Sequence, residues 1–380
     1  MINTIKNILK SIPSKTIIGL RTINDAYNNL SYGEIVDLKN TIVEFKPYFD
    51  DGTPCVEESI LYHDIVSIEL NSKETNYLKK VIITKPTSKE TRRIYLKKEI
   101  TLSLLKSILG KEMAIFHINK DYFTGYLLAV NNNYTVFQTL DPIYNIDYGI
   151  SYYPLNSLKG IIVHDYNLDI YQYIYQNSIT PFRTPDLFNI NKGDFFKKHE
   201  HDGKVIDIED VNDIKEGVTK LGYVDNTTCD AVSINIIDEK GRKISNEKVK
   251  IKNIINYGEG GFYLNKIELL YKNNLYNKSN EEIYSQKDGI IFYELINECQ
   301  KTKKVVSLIS DKDEFSYFES TGYIVNLIDN WIKMKVYDIE EDDWYDYYRK
   351  IEDFSDIRIN SYIELLVDLI GNSKKREFVY

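Results

Sequence analysis

The side chains of this 380-residue chain that could do chemistry gather in three places. His199-Glu200-His201-Asp202 brings two of the five histidines together, and an alternating His-x-His on a strand presents two imidazoles to one metal ion. His199 and His201 are therefore the candidate metal ligands. No third ligand stands at a metal-site spacing, and a polar stretch ahead of a turn at Gly203 accounts for the same residues, so neither metal nor cofactor is expected. Tyr257-Gly258-Glu259-Gly260-Gly261-Phe262 is rich enough in glycine to cradle a phosphate, which requires a strand before it and a helix N-terminus after it. Phe262-Tyr263-Leu264 reads as a continuing strand, so a hairpin turn is expected. The third place is an acidic run, Asp338, Glu340, Glu341, Asp342, Asp343, Asp346, Glu352 and Asp353, interleaved with Trp344, Tyr345, Tyr347 and Tyr348. Carboxylates beside aromatic rings suit a basic partner, since the rings anchor and the charges steer. Trp331, Trp344, Tyr345, Tyr347, Tyr348, Asp342, Asp343 and Asp346 are the expected contact surface.

The catalytic signatures are absent. There is no Gly-x-Ser-x-Gly, no phosphate-binding loop with its lysine, no dinucleotide fingerprint and no His-Glu-x-x-His. Carboxylates are spread too evenly to single out a general acid and base. A formal net charge of −9 opposes tight binding of a phosphate backbone, although Lys79-Lys80, Arg92-Arg93 and Lys97-Lys98 form local basic patches. Cys55, Cys229 and Cys299 show no paired spacing, so neither a disulfide framework nor a cysteine-rich metal site is implied. With no leader-like N-terminus and no apolar run of membrane-spanning length, the expected setting is the cytoplasm, away from membranes.

The elements that must position these residues follow a repeated frame. Gly33-Glu34-Ile35-Val36, Gly125-Tyr126-Leu127-Leu128, Gly222-Tyr223-Val224-Asp225 and Gly322-Tyr323-Ile324-Val325 recur at intervals of roughly 100 residues, and self-similarity at a fixed period signals a repeat architecture. Each frame closes on a short apolar strand, at 65–68, 158–161, 267–270 and 357–359. Around the first glycine the pattern is a helical stripe (Ile5, Ile8, Leu9, Ile12), then alternating strands, with Asp50-Asp51-Gly52 as a turn. The expected organisation is a first repeat over 1–75, a hairpin insertion over 76–99, a second repeat over 100–165, a tyrosine- and proline-containing linker over 166–202, a divergent third repeat over 203–272, a polar linker over 273–287, a fourth repeat over 288–371 and a tail over 372–380.

A short helix followed by five bent strands, with Gly-x-Φ-x-x-Φ in the second strand and an Φ-x-x-Ile near the closing strand, resembles the Sm-like branch of the small SH3-like barrels. The resemblance covers the first, second and fourth repeats better than the third. It implies a mainly β protein of tandem five-stranded barrels, each led by a short helix, pairing edge to edge through outer strands and so able to form homo-oligomers. Sm-like proteins bind RNA through an Asp and an Asn between the second and third strands and an Arg-Gly before the last. Here those loops read Lys39-Asn40, Asn131-Asn132-Asn133 and Asp329-Asn330, and the last turns read Asp64-Ile65, Ser157-Leu158 and Asp353-Phe354, without Arg-Gly. The expected function is therefore a non-enzymatic protein interaction module: a scaffold, an adaptor, or an inhibitor- or immunity-type protein whose basic partner would suit a bacterial defence or toxin system. An RNA-binding Sm-like protein and an enzyme with a site between repeats are the alternatives.

Overall fold

A computed structural model describes residues 2–23, 30–84, 93–141, 146–163, 168, 171–172, 192–213, 218–313, 316–339 and 343–374. The chain is mainly β, and its strands fall into four sets of five: β1 Ile17–Thr22, β2 Ser31–Leu38, β3 Ile42–Pro47, β4 Glu58–Leu61 and β5 Ile65–Leu70 in module one. Before module two comes β6 Arg93–Leu96, then β7 Met113–Ile118, β8 Asp121–Val130, β9 Tyr134–Asp141, β10 Ile146–Pro154 and β11 Leu158–Val163. Module three holds β12 Ile206–Asp210, β13 Lys220–Thr227, β14 Ala231–Ile237, β15 Lys243–Lys250 and β16 Ile254–Glu259. Module four is preceded by β17 Glu282–Ser285 and holds β18 Val305–Asp313, β19 Ser316–Ile328, β20 Trp331–Asp338, β21 Asp343–Lys350 and β22 Asp356–Ile359.

In every module the strands lie in the order fifth, first, second, third, fourth, all antiparallel. The four repeat glycines have one physical cause. A Cβ on Gly33, Gly125, Gly222 or Gly322 would sit 2.3, 1.9, 2.5 or 2.0 Å from the carbonyl oxygen of Lys46, Gln138, Asn235 or Lys335 on the neighbouring third strand. Only glycine permits that approach. Two to four residues later each second strand takes a bulge, between Ile35 and Asp37, Leu127 and Ala129, Val224 and Asn226, and Ile324 and Asn326, which bends the sheet at the same place each time.

These modules are not four separate closed barrels. The chain forms two compact units, one of residues 1–85 with 278–380 and one of residues 86–277, and each contains a continuous eleven-stranded antiparallel sheet. In the first unit β21 of module four pairs with β5 of module one, and in the second β10 of module two pairs with β16 of module three. Backbone hydrogen bonding therefore runs across the module boundary, and the cores follow it: Trp331 and Tyr348 of module four pack with Ile18, Phe45 and Ile65 of module one, while Ala129 and Tyr152 of module two pack with Ile206 and Tyr257 of module three.

Three local expectations need correction. The hairpin expected over 76–99 begins instead as a helix, Lys73–Thr84, because Tyr77, Leu78 and Val81 bury one helical face; residues 85–92 lie outside the described segments. The linker expected over 166–202 ends in the helix Lys192–His199, which buries Phe195, Phe196 and His199 on the core of the second unit. Phe262-Tyr263-Leu264 is not a strand but the first turn of the helix Gly261–Lys272, which also takes the closing strand expected at 267–270, so the third module closes on β16 instead. Among the described residues no helix is long and apolar enough to cross a membrane.

Candidate functional site

Each unit places a carboxylate where the two modules join, and the two units do so reciprocally. In the second unit Asp207 on β12 faces Gly258 on β16, which in turn faces Ser151 on β10. In the first unit the same register holds Gly19 on β1, Glu69 on β5 and Tyr347 on β21. Carboxylate and glycine have exchanged strands. The glycine makes room: a Cβ on Gly258 would fall 2.3 Å from Asp207 Oδ1, and one on Gly19 would fall 3.2 Å from Glu69 Cβ.

Burial acts on both acids by disfavouring the charged form. It pushes the Glu69 carboxyl up to about 7, against a Ser72 hydrogen bond and with the charges of Glu74 and Asp338 adding to it. Asp207 is pushed up to about 6, chiefly by burial and further by Glu209, although it keeps part of its surface toward a cavity.

The surroundings differ. At the junction of modules one and four Tyr347 is buried, its neighbour Arg349 donates to Ser310 Oγ at 3.1 Å, and the Arg349 guanidinium lies 5.4 Å from the Phe354 ring. Large side chains fill this place. At the junction of modules two and three Ser151 stands where Tyr347 does, and a cavity of about 810 Å³ opens beside it. Asp141, Asp207 and Glu239 line that cavity together with Tyr122, Tyr148, Tyr171 and Tyr263, and its described lining contains no lysine or arginine. Thr219 and Asn256 hold Glu209, next along β12, through hydrogen bonds of 2.8 and 2.7 Å. Burial also raises the Tyr263 hydroxyl, with the charge of Glu239 adding to it. The arrangement offers negative charge and aromatic faces to whatever enters, which suits a cation.

The glycine-rich stretch supports this wall of the cavity. β16 runs straight into the helix Gly261–Lys272, so a strand does precede a helix N-terminus here, but the Tyr148 backbone is packed against it: a Cβ on Gly261 would lie 2.1 Å from the Tyr148 carbonyl carbon. The close approach of two backbones explains the glycines, and protein occupies the position a phosphate would take.

The two candidate histidines do not converge. His199 is fully buried at the end of its helix, with Nδ1 2.6 Å from Asp202 Oδ2 and Nε2 2.9 Å from Glu259 Oε2. His201 points to solvent on the following turn. Carboxylates stand at both nitrogens of the buried ring, and no group of three or more metal-ligating side chains exists among the described residues. Burial would raise the Glu259 carboxyl, yet His199 and Lys198 outweigh it and bring it down to about 2.

The acidic aromatic segment also serves a purpose other than the expected one. Trp331 is fully buried, Trp344 is stacked on Tyr323 at 5.5 Å, and Tyr347 and Tyr348 are buried. Tyr345 is half-buried and meets Tyr347 edge-on at 6.2 Å. Asp346 lies between Lys333 and Lys335 at 3.9 and 3.4 Å, Asp343 Oδ1 accepts from the Trp344 amide, and Asp342 lies outside the described residues. Tyr347 and Tyr348 lie in the ladder of β21 with β5, Trp331 and Trp344 are buried elsewhere in the fold, and Tyr345 alone of these rings keeps part of its surface. Sequence reasoning missed Asp207 and Ser151 because neither stands in a motif; the only local signal was the glycine at 258, whose reason lies on another strand.

The chain matches no known family model and no curated protein sequence.

Proposed function

We propose that this protein is a non-enzymatic interaction module built of Sm-like, SH3-like repeats joined through their sheets, and that its cleft between modules two and three receives a basic side chain of a protein partner. The observation that carries this reading is a cavity of about 810 Å³ lined by three carboxylates and four tyrosines with no described basic side chain. Tyrosines contribute rigid contact area at low entropy cost, and a guanidinium or ammonium desolvated between carboxylates and ring faces gains most from such a lining. Titrating the chain with an oligo-arginine peptide and with an oligo-glutamate peptide of equal length tests it. Saturable binding of the first alone is expected, weakened at least tenfold by Asp141→Asn with Glu239→Gln, and strengthened as pH rises through about 6, where Asp207 becomes charged. Equal binding of both peptides, or no effect of the double substitution, refutes the reading.

One observation favours the RNA-binding alternative. On module three Lys192, Lys248, Lys250 and Lys252 line a second cavity of about 840 Å³ with Thr228 and Asp230, at the loop between the second and third strands and the turn before the fifth, where the Sm-like resemblance puts RNA. Against it stand the net charge of −9 and the lack of Arg-Gly. Gel-shift titration with single-stranded oligouridine decides: sub-micromolar binding that falls steeply with salt and is lost in Lys248→Glu with Lys252→Glu would promote this reading.

A further inference from the structure

The strand β6 precedes module two and pairs antiparallel with β11, the fifth strand of that module; β17 precedes module four and pairs in the same way with β22, again a fifth strand. In modules one and three the fifth strand instead receives the fourth strand of the partner module, β21 on β5 and β10 on β16. All four fifth strands are thus covered, two by a neighbouring module and two by a short strand supplied from just upstream.

The register of these pairings coincides. Ile68, Tyr257, Ile161 and Ile357 are equivalent, because each faces the first-strand residue two places beyond the one opposite the repeat glycine: Leu20, Ile208, Phe116 and Leu308. A tyrosine covers every one of them: Tyr348 on Ile68, Tyr152 on Tyr257, Tyr95 on Ile161 and Tyr284 on Ile357. Each of the four strands then enters a single 3₁₀ turn, at Ile351–Asp353, Leu155–Ser157, Lys97–Glu99 and Gln286–Asp288. In β6 and β17 the side chains flanking the tyrosine differ from it: Ile94, Leu96 and Ile283 are exposed, while Tyr95 and Tyr284 pack on the cores. The fourth strands left at the ends of the two sheets, β4 and β15, carry Ser59 and Lys248 at the tyrosine position, as their pairing with Glu44 and Ser233 fixes.

We propose that β6 and β17 are intramolecular plugs, copies of a fourth strand that occupy the docking edge of modules two and four and so limit each sheet to two modules; the occupant they exclude is the fourth strand of a second copy of this chain. An open edge invites strand addition. The plugs close one end of each sheet, and the loss of the tyrosine at Ser59 and Lys248 disarms the other.

Light scattering coupled to size-exclusion chromatography on the full chain tests the proposal. Ser59→Tyr with Lys248→Tyr, plugs intact, is expected to keep the mass of a single chain. Adding Tyr95→Ser and Tyr284→Ser to that variant is expected to raise the mass at least twofold and in proportion to concentration. Assembly with the plugs intact overturns the proposal, as does a single-chain mass for the combined variant with an unchanged circular dichroism spectrum. A second measurement stands even if the combined variant does not fold: an excess of a peptide copying residues 149–157, added to the unaltered chain, is expected to speed amide exchange at 93–96 or 282–285, and the same peptide with both of its tyrosines replaced by serine is not. No change with the tyrosine peptide overturns the proposal.

Discussion

The junction of modules one and four and the junction of modules two and three use the same strand pairing and the same register, yet one is filled and the other hollow. Tyr347, buried in the core of module four, faces Glu69 in the ladder of the first, and Ser151 stands at the same point of the second beside a cavity of about 810 Å³. The difference teaches that joining two modules needs only the backbone ladder and the tyrosine at Tyr348 or Tyr152, whose partner at the second junction is the Tyr257 ring, stacked on Tyr152 at 4.6 Å. What stands one residue before that tyrosine is free to vary. In one unit it completes a core, and in the other it leaves room for a ligand.

Exchanging the two residues should break the comparison most visibly. Tyr347→Ser removes a buried aromatic and leaves Arg349 without one wall of its pocket, so a loss of about 3–5 kcal/mol is expected, read as a lowered midpoint in urea denaturation. If the loss is under about 1 kcal/mol, the first junction is not the filled core described above.

The reciprocal carboxylate and glycine give the next largest effect. Gly258→Glu forces a side chain into the space of Asp207 Oδ1, with an expected cost of about 2–3 kcal/mol from overpacking and like-charge burial. Asp207→Gly in the same chain recreates the arrangement of the first unit and should recover at least half of that cost. Additive losses in the double variant would mean that the exchange of strands between the two units is coincidental.

The third effect concerns pH. Glu69 has a folded-state value near 7 against an ordinary 4.5, so between those values the native state holds a proton that the unfolded chain has released. Stability contributed by this site is therefore greatest below about 4.5 and declines as pH rises toward about 7. Glu69→Gln should remove about 3 kcal/mol of that decline, seen as a flatter plot of unfolding free energy between pH 4.5 and 7. Glu259 works in the opposite sense: its carboxyl is lowered to about 2, so what it contributes is complete above about 4.5 and is lost as pH falls toward 2.

The smallest effect on stability, and the most informative about function, belongs to Ser151→Tyr. The new ring enters a cavity rather than a packed core, so a change within about 1 kcal/mol is expected, together with loss of oligo-arginine binding. Retained binding would separate the cavity from the proposed function.

Much of the fold was legible along the chain. Gly33, Gly125, Gly222 and Gly322 announce the four modules because a backbone contact that forbids a Cβ leaves glycine as its trace, and the alternation in stretches such as Ile42 to Lys46 places strands by period alone. The helix Lys73–Thr84 was hidden because Val81, Ile82 and Ile83 have strand preferences that the burial of Tyr77 and Leu78 overrides. The helix Gly261–Lys272 was hidden because its aromatic first turn reads locally as strand. The site was less legible. Trp331, Tyr347 and Tyr348 have the composition of a binding surface, and a tyrosine that anchors a partner chain has the same chemistry as one that anchors another module.

The sequence by itself determined the mainly β character, the fourfold frame and the net negative charge, because these depend on residue types alone or at short range. Which modules pair, which edges are plugged and which junction stays hollow were decided only in the tertiary structure. β5 meets β21 although more than 270 residues separate them, and a ladder between such distant segments is chosen by which edges remain unpaired after each module has formed. No local pattern records that choice.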